Sequence, residues 1–138
     1  SDDASTDDTA KIVEDMSLTC PLPITVRLLE ENLGIEGNWN MAMSLARGEY
    51  IKLLPADDTL APNCISTQVA LFRQYGSDIV LTFCARNIIT RSGKHLMTAR
   101  FYDDQYIENT QLVKQCILSG TNVIGEPGAV LFPRALAL

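Results

Sequence analysis

Two pairs of adjacent aspartates are the residues whose type and spacing could do chemistry in this chain. Asp2-Asp3 precedes the first predicted helix, and Asp57-Asp58 follows a predicted strand. In an open α/β sheet, ligands bind at the carboxyl ends of the strands, so both pairs could face one crevice. Carboxylate oxygens suit Mg²⁺ or Mn²⁺, which proteins usually bind through one or two carboxylates together with substrate phosphates. The pattern therefore predicts a site for a divalent metal and a phosphorylated ligand.

Acidic residues beside a helix start can also serve the helix alone. They complement the positive end of the helix dipole, worth about 0.3–1 kcal/mol each, and this interpretation is preferred for Asp7 and Asp8. For Asp58 a functional role is favoured, because adjacent carboxylates at a strand end repel each other unless a cation is present. An EF-hand-like loop starting at Asp3 is rejected, since its sixth position is Asp8 instead of glycine and no helix precedes it. A phosphoacceptor receiver domain is a better rival, because it too is a small α/β domain with an acidic pair near its start. It would, however, need a strand before Asp2.

Helices and strands are predicted to alternate through most of the chain and so to position these acids. Apolar residues at helical spacing, with start and stop signals, predict helices over about Asp7–Met16 (after a capping box at Ser5–Asp8), Asn38–Arg47, Pro62–Gly76 and Asn109–Leu118. Apolar and β-branched runs predict strands at Ile24–Leu29, Tyr50–Leu54, Ile79–Ala85 and Ala129–Phe132. This alternation predicts an α/β fold with a mostly parallel sheet flanked by helices.

Burial is also predicted from these patterns. The run Ile79–Ala85 is expected to be buried on both faces of the sheet. The last helix is expected to turn four side chains inward: Leu112, Val113, Cys116 and Ile117. Trp39 is expected in the core. The lone His95 is expected to lie in a polar loop that follows the hairpin-like stretch at Thr90–Lys94, and to face solvent. The cysteines, none in a C-x-x-C pair, are expected to be reduced core residues.

Composition narrows the function classes. The chain has 138 residues, which predicts a single domain over 1–138, and a net charge of −6. This charge argues against a nucleic-acid partner, because phosphate backbones are bound by clustered Lys and Arg, which this chain lacks. No apolar run approaches the roughly 20 residues of a membrane span, and no targeting signal opens the sequence, so a cytoplasmic location is expected.

Three blocks of the sequence resemble those of family 2 glycosyltransferases, in the same order. They are Ser1–Thr9, Gly37–Pro62 (GNWNMAMSLARGEYIKLLPADDTLAP) and Ile124–Phe132. The similarity covers nearly the whole chain, and three ordered blocks are more specific than any one of them. The resemblance implies a GT-A-like fold. It also implies transfer of a sugar from a nucleotide diphosphate sugar to a hydroxyl of a sugar, glycan or lipid-linked acceptor.

The resemblance implies roles for five residues. Asp3 matches the carboxylate that contacts the nucleotide base, and Asn40 matches a helix position beside the donor, where it could equally hold the helix in place. Asp57 is expected near the ribose and phosphates of the donor. Asp58 matches the metal ligand of the DxD-type motif and would hold Mg²⁺ or Mn²⁺. Glu126 lies where the acceptor pocket is expected, with a Glu-Pro turn as the competing structural role.

The sequence also departs from the family pattern. One upstream carboxylate of the D-x-D-D motif is absent from Leu54–Asp58. Family members carry a strand and a helix before Asp2 and a catalytic base after the acceptor block, so the domain is expected to be truncated at both ends, without its base. Loss of the central strand exposes sheet edges, which predicts a homo-oligomer, strand exchange or a rearranged strand order. The alternative hypothesis is a non-catalytic GT-A-like module that acts by self-association or binding.

Overall fold

Helices and short strands alternate along the chain. The computed structural model describes residues 1–100 and 106–137. The helices are α1 Thr9–Thr19, α2 Gly34–Ser44, α3 Cys64–Tyr75 and α4 Asn109–Ser119. The strands are β1 Tyr50–Ile51, β2 Thr82–Phe83, β3 Arg86–Ile89, β4 His95–Ala99 and β5 Val130–Pro133. Single 3₁₀ turns lie at Gly76–Asp78, Pro127–Ala129 and Arg134–Leu136. This order agrees with the α/β class predicted from the sequence.

The mostly parallel sheet is not confirmed. Strand β2 pairs antiparallel with β5, with Thr82 opposite Leu131, and β3 pairs antiparallel with β4. A single parallel bridge joins Asp2 to Leu28. Strands that are neighbours in sequence pair antiparallel through a tight turn, whereas parallel pairing needs a long crossover connection. The β3–β4 pair follows this rule, because only a short turn separates its strands.

The hairpin between β3 and β4 agrees with the hairpin-like stretch predicted at Thr90–Lys94. The amide of Thr90 donates to the carbonyl of Lys94 at 2.8 Å, and Gly93, at φ +80°, donates back to Thr90 at 2.8 Å. His95 opens β4 instead of lying in the loop, and its exposed ring contacts the Thr98 hydroxyl at 3.1 Å. Its predicted exposure is confirmed.

The described chain divides into two compact units, called here unit 1 (Ser1–Ile51 with Arg134–Leu138) and unit 2 (Lys52–Pro133). A single domain over the whole chain stays a prediction. In unit 1 the strand predicted at Ile24–Leu29 is reduced to one bridge, in which Asp2 donates to the Arg27 carbonyl at 2.8 Å and accepts from Leu29 at 3.0 Å. Also in unit 1, Arg134 bonds the carbonyls of Gly48 and Glu49.

The start of α1 differs from the predicted capping box. The Ser5 amide and hydroxyl both donate to the Asp2 carboxylate, at 2.9 and 2.5 Å, so Ser5 does not cap the helix. The Asp7 carboxylate instead accepts the Thr9 amide at 3.0 Å. The hydroxyl of Thr9, and after it this amide, lower the pKa of Asp7. The helix therefore begins at Thr9, two residues later than predicted.

The core of unit 2 forms where α3 packs on β2 and β5. Its most buried residues are Gln68, Phe72, Thr82, Ala129 and Leu131. Burial of Ile79–Ala85 on both faces is wrong, since the strand is only Thr82–Phe83 and Val80 is 59% exposed. A two-residue strand cannot bury a seven-residue run, because the flanking residues have no neighbouring strand to cover them.

The burial predicted for the last helix is corrected in part. On α4, Leu112 and Cys116 are half-buried, but Val113 and Ile117 are 51% and 73% exposed. Helical spacing shows that these side chains share a face and cannot show what covers it.

Trp39 and the four cysteines, all expected in the core, are half-buried, and the cysteines are free thiols. Within the described residues, no helix is both long and apolar enough to cross a membrane.

Gln68 is 2% exposed and is the polar centre of the unit 2 core. Its Nε2 donates to the carbonyls of Ala129 at 2.9 Å and Thr82 at 3.3 Å, and its Oε1 accepts from Lys52 Nζ at 2.8 Å. Both donor positions of its amide and one of its two acceptor positions are thereby used inside the protein.

We expect Gln68→Leu to lower the free energy of unfolding by about 2–3 kcal/mol, because it removes these three hydrogen bonds from a buried site. Urea denaturation measures this change. Gln74→Leu, at an exposed position of the same helix, is the control and should shift stability by no more than about 0.5 kcal/mol. Equal effects of the two substitutions would show that the bonds of Gln68 do not matter to stability.

Candidate functional site

The Asp57-Asp58 pair lies in a turn of unit 2. The Asp58 amide donates to the Pro55 carbonyl at 3.2 Å, which closes the turn. Both aspartates are exposed. Proline fixes its own backbone angle and ends the preceding extended segment, which is why the chain turns here. The two carboxylates therefore stand next to each other at a position open to a ligand.

The Asp58 carboxylate lies against a segment from much later in the chain. A Cβ added to Gly128 would stand 3.2 Å from Asp58 Oδ2 and 3.7 Å from Pro55. Gly128 belongs to the 3₁₀ turn Pro127–Ala129, in which the Ala129 amide donates to the Glu126 carbonyl at 2.8 Å. The structure thus brings Asp58 beside the segment that contains Glu126.

That segment is anchored to the core of unit 2 through one carbonyl. The Ala129 oxygen accepts from Gln68 Nε2 at 2.9 Å and from the Cys84 amide at 3.2 Å. Lys52 Nζ lies 3.5 Å from the neighbouring Val130 carbonyl. Because Ala129 is only 3% exposed, the residues before it have a fixed support. This anchoring holds Gly128 in place against the carboxylate.

Glu126 forms an ion pair with Arg86, the first residue of β3. Nη1 of Arg86 donates to Oε2 of Glu126, while Arg86 is 22% exposed and Glu126 is 60% exposed. The hydrogen bond from Arg86 lowers the pKa of Glu126. Glu126 is therefore a carboxylate at neutral pH, and it is held in a set direction. Sequence analysis did not identify Arg86, because no local pattern connects it with Glu126.

Gly125 makes room for this ion pair. It is buried and has φ +107°, a conformation that glycine adopts readily and other residues rarely do. A Cβ here would lie 2.8 Å from the Arg86 guanidinium carbon. The side chain of Asn122 brackets the residue, donating to its carbonyl at 2.7 Å and accepting its amide at 3.2 Å. A glycine directly before Glu126 was the sequence signal for this close approach.

Asp3 lies in unit 1 and is half-buried. Its Oδ1 accepts the amide of Leu33, the residue before α2, at 2.7 Å, and its carbonyl accepts from Asn32 at 3.1 Å. The next residue, Ala4, has φ +59°, a conformation that costs a non-glycine residue about 1–2 kcal/mol. One oxygen of Asp3 therefore holds the turn that leads into α2. Its contact with a nucleotide base stays a prediction.

Asn40 lies on α2 of unit 1 and is exposed. Two positions earlier, Asn38 has a buried Oδ1 with no hydrogen-bond partner among the described residues. Buried polar atoms are nearly always paired, so an unpaired one needs an explanation. Asn40 was predicted to be a site residue and Asn38 was not. The two side chains lie on different sides of the same helical turn, and no sequence motif distinguishes them.

The residues present fit a divalent metal only as a shared site. Among residues 1–100 and 106–137, no group of three or more His, Cys, Asp or Glu side chains could hold an ion by itself. Mg²⁺ and Mn²⁺ do not require such a group, since one or two carboxylates suffice when phosphate and water oxygens complete the shell. The exposed Asp57-Asp58 pair meets that lower requirement.

Comparison with known proteins identifies the class to which the fold and these residues belong. The family model described as "Glycosyl transferase family 2" matches residues 1–132. The chain therefore belongs to glycosyl transferase family 2. The resemblance found in the three sequence blocks is confirmed.

Two relatives show how much of the chain the similarity covers. An uncharacterised protein of Mycobacterium tuberculosis (strain CDC 1551 / Oshkosh) is 34% identical over 149 residues, which cover 99% of this chain and 44% of the relative. Abequosyltransferase RfbV of Salmonella typhimurium is 29% identical over 130 residues, covering 91% of this chain and 38% of the relative. The chain thus spans less than half the length of these curated relatives.

The Arg86–Glu126 pair predicts a pH dependence. A carboxyl whose pKa is lower in the folded than in the unfolded chain adds stability above its unfolded pKa and loses it as the pH falls through the folded value. We expect Arg86→Gln to raise the pKa of Glu126 toward its ordinary value of 4.5. The stability at stake is at most about 1 kcal/mol, because Glu126 is largely exposed, and it disappears in acid.

NMR titration of the Glu126 carboxyl in both proteins measures this shift. Arg91→Gln removes an exposed arginine from the turn between β3 and β4 and should leave the titration of Glu126 unchanged. If the midpoint is the same in the wild type and in Arg86→Gln, the ion pair does not form in solution.

Proposed function

We propose that this chain binds a nucleotide diphosphate sugar through a divalent metal and takes part in transfer of the sugar to an acceptor hydroxyl. The observation that carries the proposal is the close approach of Asp58 to Gly128, where an added Cβ would lie 3.2 Å from Asp58 Oδ2. This approach brings the Asp57-Asp58 motif next to the segment that contains Glu126. Such proximity is expected if the groups that bind the donor and the acceptor are neighbours. Membership of glycosyl transferase family 2 supports sugar transfer in general.

Asp58 would hold Mg²⁺ or Mn²⁺ with one carboxylate oxygen, and Asp57 would face the ribose and phosphates of the donor. When bound, the metal neutralises the charge of the departing diphosphate. Asp58 lies close to Gly128 and stays exposed, so its carboxylate is accessible to a cation. For Asp3 and Asn40, contact with the base and with the donor stays a proposal drawn from the resemblance.

Glu126 would serve the acceptor. Its lowered pKa makes it a weak base at neutral pH, so orienting an acceptor hydroxyl by accepting its hydrogen bond suits it better than removing its proton. Arg86 holds the carboxylate in position for this task. The named relative is an abequosyltransferase, so abequose is one sugar to include in a donor screen. A homo-oligomer and a cytoplasmic location stay predictions.

We expect UDP or another nucleoside diphosphate to bind only with Mn²⁺ or Mg²⁺, and Asp58→Asn to abolish that metal-dependent binding. The substitution keeps the volume of the side chain and removes the charge that binds the cation. Calorimetric titration with and without metal measures the effect. Asp78→Asn, which removes another exposed charge from unit 2, is the matched control and should bind as the wild type does.

Equal binding by Asp58→Asn and the wild type would remove Asp58 from the site. Absence of binding by any nucleoside diphosphate would favour a non-catalytic module that keeps the family's sequence blocks without donor binding.

Gly128→Ala tests the contact that carries the proposal. The added methyl group would press on Asp58 and shift its carboxylate, so we expect metal-dependent affinity to fall roughly fivefold, or about 1 kcal/mol. Gly48→Ala is the control, because its added carbon would also lie 3.2 Å from a neighbouring atom, the Tyr50 carbonyl oxygen, in a part of unit 1 that the proposal does not use. Thermal melts of both variants separate loss of affinity from loss of folding. An unchanged affinity in Gly128→Ala would mean that this contact does not position Asp58.

A further inference from the structure

Two cysteines from separate elements of unit 2 meet in space. Cys64 is the first residue of α3 and Cys84 directly follows β2, and their sulfur atoms lie 3.9 Å apart. We propose that Cys64 and Cys84 are a modification site, forming a reversible intramolecular disulfide by exchange with a small disulfide such as oxidised glutathione. The sulfurs must approach by about 1.9 Å to reach the bond length of about 2.05 Å.

The surroundings hold the two thiols together. Cys64 Sγ contacts Gln68 Oε1 at 3.6 Å, and Cys84 Sγ contacts the Ala129 carbonyl at 3.5 Å. Gln68 also donates to Ala129, so both sulfurs rest on one buried hydrogen-bond network. The thiols are therefore neighbours because of the packing of α3 on β2 and β5. Both are half-buried, which leaves part of each cysteine open to a small reagent.

A soft-metal site explains the pair less well than a disulfide. The described residues offer no third His, Cys, Asp or Glu side chain near these sulfurs to complete a metal site. Zinc sites in proteins use three or four protein ligands. Two thiols without further ligands retain one simple joint chemistry, which is oxidation to a disulfide.

The charges around Cys84 favour a fixed order of events. Burial raises the pKa of the Cys84 thiol, as does the neighbouring Cys64, whereas the cations Lys52 and Arg86 act to lower it. Cys84 therefore forms its thiolate less readily while Cys64 is a free thiol. Once the Cys64 sulfur is part of a mixed disulfide, that sulfur carries no charge and no longer raises the pKa of Cys84. The two cations remain and favour the Cys84 thiolate that the second step needs.

The exchange balances in two steps. The Cys64 thiolate attacks one sulfur of oxidised glutathione, whose S–S bond breaks, and one glutathione leaves with the electron pair as a thiolate that takes up a proton. The Cys84 thiolate then attacks the Cys64 sulfur of the mixed disulfide and releases the second glutathione. Two protein thiols are oxidised and one glutathione disulfide is reduced to two thiols.

The experiment oxidises the reduced chain with oxidised glutathione at mildly alkaline pH, alkylates the remaining thiols and maps the peptides by mass spectrometry. We expect a cross-linked peptide pair containing Cys64 and Cys84, with Cys20 and Cys116 alkylated, and full reversal by a reducing agent. The Cys20→Ser/Cys116→Ser variant should give the same cross-link. Its oxidised form should melt at a higher temperature than its reduced form, because the bridge restricts the unfolded chain.

Cys64→Ser and Cys84→Ser are the test variants, and each should lose the cross-link while keeping its fold, as judged by circular dichroism. Stable glutathione adducts on Cys64 and Cys84 in the wild type, or a cross-link that involves Cys20 or Cys116 instead, would overturn the proposal. This result is independent of nucleotide binding, so it stands or falls separately from the proposed function.

Discussion

The burial of one glutamine is the interaction on which most of unit 2 depends. Gln68 lies between α3 and the strands β2 and β5, and its amide group satisfies two backbone carbonyls and one lysine ammonium. A primary amide buried without partners would cost several kcal/mol. With four bonding positions used, including the contact from Cys64, the same group fixes the distance and orientation of three elements. The short strands provide few ladder bonds, so this side chain carries much of the specificity.

The candidate site follows from that network. Because Gln68 and Cys84 both bond the Ala129 carbonyl, the turn before it is held at a fixed position beside Asp58. Glycine at 128 lets the carboxylate approach the backbone. The candidate side chains Asp57, Asp58 and Glu126 stay exposed, while Gln68 and Ala129, which support them, are buried. Such a division suits a site that must be accessible to a charged ligand and yet keep its geometry.

Charge is arranged locally in a chain whose net charge is −6. The Arg86 guanidinium is paired with Glu126, and together with Lys52 it offsets part of the rise that burial causes in the pKa of the Cys84 thiol. Arg86 thus acts on both the Glu126 carboxylate and the Cys84 thiol, and Lys52 acts on the thiol alone. Neither effect could be anticipated from the sequence, because the partners are brought together only by the packing of α3, β2 and β5.

The sequence by itself determined the family, the alternation of helices and strands, and the acidic pair at residues 57 and 58. These features depend on local patterns: apolar spacing, turn residues and ordered blocks. The four helices were placed to within a few residues of their observed bounds, since helix formation depends on near neighbours. The exposed histidine and the hairpin beside it were predicted for the same reason.

Only the tertiary structure decided the pairing of strands and the partners of the site. Antiparallel pairing of β2 with β5, the exposed face of α4 and the meeting of Cys64 with Cys84 each involve residues far apart in sequence. A local pattern gives the direction of a side chain relative to its own element and contains no information on what lies opposite. Long-range packing supplies that information, and here it placed Arg86 against Glu126 and Gly128 against Asp58.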